Sequence, residues 1–173
     1  MIRKEFSALI VDDDEDTRAM FARILATSMN VEFTCATAAS VEEAMKLLEA
    51  SRFHLVLTDI NLPGRSGLDL CESVQQSYPI TPVIVVSGMT DIQYAVEAIR
   101  RRAFDYLVKP VAVEQLKWSV ERALTYHEVA MLKYNCEQSI QEDIHDLMLL
   151  NQQLRSVAQP AVKGLSKPVG TTI

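Results

Sequence analysis

Cysteine, glycine and net positive charge are all scarce in this chain, and each scarcity excludes something. Cys35, Cys71 and Cys136 are far apart, odd in number and in no metal-ligand spacing, so they form neither a disulfide framework nor a thiolate zinc site. They read as reduced thiols filling small apolar spaces in a cytoplasmic protein. Seventeen Lys and Arg stand against 23 Asp and Glu, a net charge of −6, which removes the basic surface that direct DNA binding needs. No apolar stretch approaches the ~20 residues that span a bilayer, so no membrane segment is expected. The start MIRKEFSALIV is basic and then apolar, but Asp12, Asp13 and Asp14 interrupt it too early for a secretory leader. Only five glycines and six prolines are present, and residues 111–156 hold neither. What remains, 173 residues at 49% hydrophobic, suffices for one good core with roughly 50 residues to spare.

Apolar runs of strand length alternate with amphipathic helical stretches up to Pro110. Strands are expected over residues 6–11, 31–36, 54–58, 83–86 and 105–108, and helices over 16–28, 41–50, 68–78 and 91–101. Ser40 followed by Glu43 has the spacing of a capping box and marks the start of the second helix. Strands alternating with helices predict an α/β, doubly wound parallel sheet covered on both faces. The continuously apolar LIV and VIVV are what strands buried on both faces require.

The ends of these strands carry the chemistry. The first runs into Asp12 and Asp13, the third into Asp59, the fourth into Ser87 and the fifth into Lys109. Open parallel sheets bind ligands outside the carboxyl ends of their strands. Singly, Asp13 or Asp14 would serve as a helix cap, Ser87 as a turn residue and Lys109 as a solvated lysine; their joint placement at one edge makes a site. Two carboxylates about 4 Å apart repel by roughly 4 kcal/mol at an effective dielectric near 20, so the crowd is tolerable if a cation sits among the carboxylates or if some of them face water at a helix start. Clustered carboxylate oxygens suit Mg²⁺, and a carboxylate can act as nucleophile to form an aspartyl phosphate. An ammonium and a hydroxyl would then neutralise and hydrogen-bond the phosphoryl oxygens. His54, His127 and His145 lie away from this edge and are expected to be structural or surface residues.

LIVDDDEDTR, LVLTDINLPGRSGLDL, PVIVVSGMTD and AFDYLVKP resemble, in order and spacing, the successive motifs of the receiver domain of two-component response regulators. The resemblance covers residues 5–126. It implies a flavodoxin-like sheet of order 2-1-3-4-5 and a phospho-acceptor at Asp59, loaded from a phosphohistidine on a sensor histidine kinase or phosphotransfer protein. It implies that Asp12 and Asp13 organise Mg²⁺, with Asp13 and Asp59 as carboxylate ligands and the Asn61 backbone carbonyl completing the protein's share. Ser87 takes the place of the switch hydroxyl, Lys109 of the phosphate-contacting lysine and Tyr106 of the aromatic that moves inward. The Lys109–Pro110 bond matches one that is cis in the family. Such a protein catalyses only its own phosphorylation and dephosphorylation and signals through the face of its fourth helix, fifth strand and fifth helix. Asp14 and Asp16 are left to the solvated start of the first helix, where its dipole favours negative charge.

Arg102 departs from the pattern, standing where the family often has glycine at a left-handed helix end, at a cost of about 1 kcal/mol or with another turn. Asn61 and Met89 occupy positions that tune phosphoryl lifetime in the family. A rival class, the haloacid-dehalogenase-like phosphatases, also combines a nucleophilic Asp, Mg²⁺, a hydroxyl and a Lys. Its Asp-x-Asp signature is only superficially met by VDDDED, and nothing here would form a cap over a substrate.

The domain organisation read from this is a receiver over 1–126, a helical extension over 127–157 and a flexible tail or linker over 158–173. In the extension Val120, Leu124, His127, Met131 and Tyr134 step by four and three, as do Ile140, Ile144, Leu147, Asn151 and Leu154. That is coiled-coil spacing with one polar seam residue. The two stretches are out of phase, so the extension is either one helix with a local disturbance or two helices broken near 135–139, where Ser139 and Glu142 have capping-box spacing. A parallel homodimer through these helices is expected; the alternative packs the first stretch back on the receiver. The extension has no room for a DNA-binding domain, and its composition is similar to connectors leading to cyclic-dinucleotide phosphodiesterase or cyclase domains. The chain is thus either a stand-alone regulator or the amino-terminal part of a longer one.

Overall fold

The computed structural model describes residues 4–90, 92–163 and 170, with 159–163 as backbone only. Strands and helices alternate as β1 (Glu5–Val11), α1 (Glu15–Ser28), β2 (Glu32–Ala38), α2 (Val41–Ala50), β3 (Leu55–Thr58), α3 (Gly67–Ser77), β4 (Val83–Ser87), α4 (Ile92–Arg100), β5 (Asp105–Val108) and α5 (Val113–Lys163). The five strands form one parallel sheet of order β2-β1-β3-β4-β5. This is the α/β doubly wound architecture expected from the alternation.

The period-two geometry of a strand divides the core. Phe6, Ala8 and Ile10 of β1, with Leu55 and Leu57 of β3 and Ile84 and Val86 of β4, pack under α1 and the first turns of α5. Leu9, Val11, Val56 and Val83 face the other way, against α2 and α3. Ile60, Leu68, Val85 and Ala98 close a third cluster beside α4. Cys71 is buried in the second cluster, where desolvation pushes its thiol up to about 12, and it is the inert filler expected of it. Cys136 is exposed and Cys35 half-buried.

Local signals fix the helix starts. Asp14 caps α1 by accepting from the Thr17 amide, and Ser40 caps α2 by accepting from Glu43. Glu43 reaches back to the Ala39 amide, one residue before the cap, so the expected capping box is met only on its serine side. A complete box stands instead at α3, between Ser66 and Asp69.

Two expectations need correction, at β2 and at the start of the tail, and one open alternative, the continuity of the extension, is decided. β2 begins one residue later than expected and runs on to Ala38, because its register with β1 continues to Val11. α5 is a single helix of 51 residues with no break at 135–139. That stretch, Asn-Cys-Glu-Gln-Ser, contains no residue that stops a helix, and Ser139 stays within it. The same helix occupies residues 158–163, where a flexible tail was expected to begin. Ala158 and Ala161 are strong helix formers, and Pro160 removes one helical hydrogen bond without ending the run. Residues 164–169 and 171–173 of that tail, and Asp91 at the expected start of the fourth helix, lie outside the described residues.

The chain divides into two compact units, residues 1–130 and 131–173. Within the first, Val120, Leu124 and His127 are 0%, 6% and 8% exposed. The first three positions of that apolar stripe are therefore consumed by the receiver core, as the alternative to a dimer seam required, whereas Met131 and Tyr134 are 43% and 48% exposed. Within the second, Ile140, Ile144, Leu147 and Leu154 are each at least 46% exposed.

Arg102 does occupy the left-handed region, with φ of 61°. Its amide donates to Ile99 and that of Ala103 to Ala98, the two bonds of a Schellman ending to α4. The helix stop survives without glycine because both carbonyls are satisfied.

Candidate functional site

The carboxyl edge of the sheet brings four of the expected residues into one cluster. Asp12 follows the last residue of β1 and is 3% exposed; Asp59 follows β3 and is 9% exposed. Between them sits Lys109, whose Nζ donates to Asp12 Oδ2 and Asp59 Oδ2 at 2.7 Å each. Their second oxygens are also bound: Asp12 Oδ1 accepts from the Asp14 amide at 3.0 Å and Asp59 Oδ1 from the Asn61 amide at 3.2 Å. Burial works against the Lys109 charge, but the hydrogen bonds to Asp12 and Asp59 outweigh it and hold the ammonium above its ordinary pKa. Lys109 is set in place by its own amide, which donates to the Ser87 carbonyl at 2.9 Å, and is followed by a cis bond to Pro110.

Asp13 is exposed, yet one oxygen from each of Asp12, Asp13 and Asp59 falls within 4.8 Å of the others. Three carboxylates converging with oxygen-only donors fit a hard divalent cation such as Mg²⁺. Asp14 is not part of this set. Its carboxylate accepts from the Thr17 hydroxyl and amide, which hold it below the ordinary carboxylate pKa. An Asp-x-Asp phosphatase site would require Asp12 and Asp14 together, whereas Asp14 is turned to the helix start.

Ser87 ends β4 fully buried, and its hydroxyl accepts from the Met89 amide at 3.2 Å. The Tyr106 hydroxyl donates to the Met89 carbonyl at 2.7 Å. Residue 89 therefore connects the two expected switch residues through its backbone. Burial raises the Tyr106 pKa, keeping the phenol protonated.

Two residues escape a linear reading. Gly67, the first residue of α3, lies so close to the end of β3 that a Cβ there would sit 1.7 Å from the Asp59 carbonyl oxygen. Its φ is not of the kind that singles out glycine, so only the tertiary approach explains it. Arg18 on α1 donates through Nη1 to the carbonyls of Asp12 at 2.7 Å and Asp13 at 3.2 Å. Its only signal in the sequence is being the first basic residue after the acidic run.

His54 and His127 lie at the opposite, amino end of the strands, with ring centroids 4.9 Å apart. Among the described residues no helix is long and apolar enough to cross a membrane.

The family model of the response regulator receiver domain matches residues 8–121. The response regulator protein PilR of Pseudomonas aeruginosa is 39% identical over 117 residues, which are 68% of this chain and 26% of PilR. The DNA-binding transcriptional regulator NtrC of Salmonella typhimurium is 34% identical over 128 residues, 74% of this chain and 27% of NtrC. The crystal structure of the NtrX receiver domain from Brucella abortus has a TM-score of 0.63 at 35% identity, covering 68% of this chain and 98% of that domain. The chain thus spans about a quarter of the length of the curated relatives it matches. With the sheet order, the acidic edge and these likenesses together, the chain belongs to the response regulator receiver family.

Proposed function

We propose that this receiver accepts a phosphoryl group on Asp59 from the phosphohistidine of a sensor histidine kinase or phosphotransfer protein. The observation that carries this is the Lys109 ammonium 2.7 Å from both Asp12 and Asp59 at the carboxyl edge of the sheet. One Asp59 oxygen attacks phosphorus, the phosphorus–nitrogen bond breaks, and the imidazole leaves with the electron pair and takes a proton from solvent. Return to the carboxylate follows when water attacks the same phosphorus, which breaks its bond to the Asp59 oxygen and releases inorganic phosphate. Asp12, Asp13, Asp59 and the Asn61 backbone carbonyl would hold Mg²⁺, which neutralises the charge that builds on the phosphoryl oxygens. Lys109, charged throughout by virtue of its raised pKa, follows Asp59 to the phosphoryl group and acts as an electrostatic contact, not as a base. The protein is an enzyme only toward itself, and its place is the cytoplasm.

Ser87 supplies the switch. Its hydroxyl turns from the Met89 amide to the phosphoryl group, which frees residue 89 and with it the acceptor of Tyr106. The response passes to the face of α4, β5 and α5, where Ile92, Val96, Val108 and Trp118 are exposed. Similarity to NtrC favours transcriptional control by a further module over a cyclic-dinucleotide enzyme as the output. DNA contact would then belong to that module, not to this acidic chain.

The exposed stripe from Ile140 to Leu154 is proposed as a parallel homodimer seam, beginning beyond Ala130 since Val120, Leu124 and His127 of the earlier stripe are buried. Light scattering should find a dimer for the whole chain and a monomer for a truncation ending at Ala130. A monomer in both contradicts the seam, and a dimer in both moves the interface to the receiver.

Incubation with labelled acetyl phosphate and Mg²⁺ tests the acceptor. The wild type should gain an acid-stable, base-labile phosphate and Asp59→Asn should lose nearly all of it; equal labelling overturns the assignment.

A further inference from the structure

Successive side chains of an extended chain point to opposite sides. Asp12 and Asp13 nonetheless both deliver an oxygen to the cluster with Asp59, within 4.8 Å. The backbone after β1 must therefore be held away from strand geometry. Asp12 is fixed three ways, by its amide on the Ala38 carbonyl, its Oδ1 on the Asp14 amide and its Oδ2 on Lys109. Among the described residues nothing hydrogen-bonds the Asp13 carboxylate, so its aim depends on its backbone alone. Besides the Asp12 Oδ1–Asp14 amide bond that spans it, that backbone is held by Arg18. The guanidinium Nη1 gathers the consecutive carbonyls of Asp12 and Asp13, at 2.7 and 3.2 Å. Arg18 is half-buried on α1, a helix anchored in the core by Phe21 and Leu25, so the grip comes from a rigid element.

We propose that Arg18 is a positioning residue of the cation site: by holding both carbonyls on one side of the loop, it directs the carboxylates of Asp12 and Asp13 toward Asp59. The inference rests on the Mg²⁺ reading of that cluster. It has an unusual sign. As a mere charge, an arginine beside a divalent cation opposes binding, and its removal would tighten Mg²⁺. As a positioning group, its removal loosens Mg²⁺ despite the relieved repulsion.

Calorimetric titration of the full chain with Mg²⁺ alone separates the two. Arg18→Met should raise the Mg²⁺ Kd about 10-fold, the usual scale for a group that orients metal ligands. Arg18→Lys, which keeps a charged donor on a flexible stem, should recover most of that loss and serves where the Met variant folds poorly. Thermal unfolding of each variant without Mg²⁺ identifies a folding defect. An unchanged or tighter Kd in folded Arg18→Met overturns the proposal, as does a Lys variant no better than Met. A wild type that does not bind Mg²⁺, or an Asp13→Asn variant that binds it as tightly as wild type, instead removes the cation site itself.

Discussion

The two ends of the sheet bury polar groups by opposite means. At the carboxyl end Asp12, Asp59 and Lys109 keep their charges and satisfy one another. At the amino end His54 and His127 are held neutral. The Ser7 amide donates to His54 Nδ1 at 3.0 Å, which that nitrogen can accept only without a proton. His127 Nδ1 lies 3.0 Å from the Ile80 carbonyl and must carry one. The Phe6 ring packs edge-on against His54, with centroids 5.2 Å apart. Burial lowers the pKa of both histidines. The difference shows what a binding edge demands. Charge is kept in a buried place where the proposed cation and phosphoryl group would meet it, and exchanged for neutral hydrogen bonding where only the strand ends need support.

The larger test of that contrast is removal of the cation at the charged end. Lys109→Met leaves two carboxylates, with side chains 4% and 10% exposed, facing each other without it. The loss of a buried partner is worth about 3 kcal/mol, reduced here because the lysine is itself partly exposed. Urea unfolding should show a loss of about 2 kcal/mol. Mg²⁺ should restore more stability to the variant than it adds to the wild type, because it replaces the missing charge. A variant as stable as wild type, or one indifferent to Mg²⁺, would mean that the acids do not depend on Lys109.

A smaller effect belongs to the neutral end. With both histidine pKa values below the ordinary 6.5, the unfolded chain takes up protons before the folded one does. Stability present above pH 6.5 is therefore lost as the pH falls below it, in a range where the carboxylates remain ionised. His127→Phe should flatten the thermal unfolding midpoint between pH 7.5 and about 5.5. Equal pH dependence in wild type and variant would place the titration elsewhere.

The charged end was legible because each of its groups falls within two residues of a strand end. Asp12, Asp13, Asp59 and Lys109 need only the parallel sheet to meet. The histidine pair was legible only as a lack of involvement, since no pattern joins residues 54 and 127. Gly67 and Arg18 act on the backbone of other segments, a relation that residue type and spacing do not express. Arg102 shows a departure read correctly as a local conformation, with its left-handed φ present and its helix ending complete. The stripe Val120, Leu124 and His127 marks the opposite limit. Periodicity reveals that a helix face is buried but not against what, and here the partner is the sheet of the same chain.

Asp59, and no other acid of the cluster, is the proposed nucleophile. Treating the full chain with acetyl phosphate and Mg²⁺, then reducing with borohydride, converts any aspartyl phosphate to homoserine at the residue that carried it. Peptide mass spectrometry should find homoserine at position 59. Homoserine at position 12 would contradict Asp59 as the nucleophile and point to phosphatase-like chemistry, and its absence from every aspartate would contradict phosphoryl acceptance at this edge.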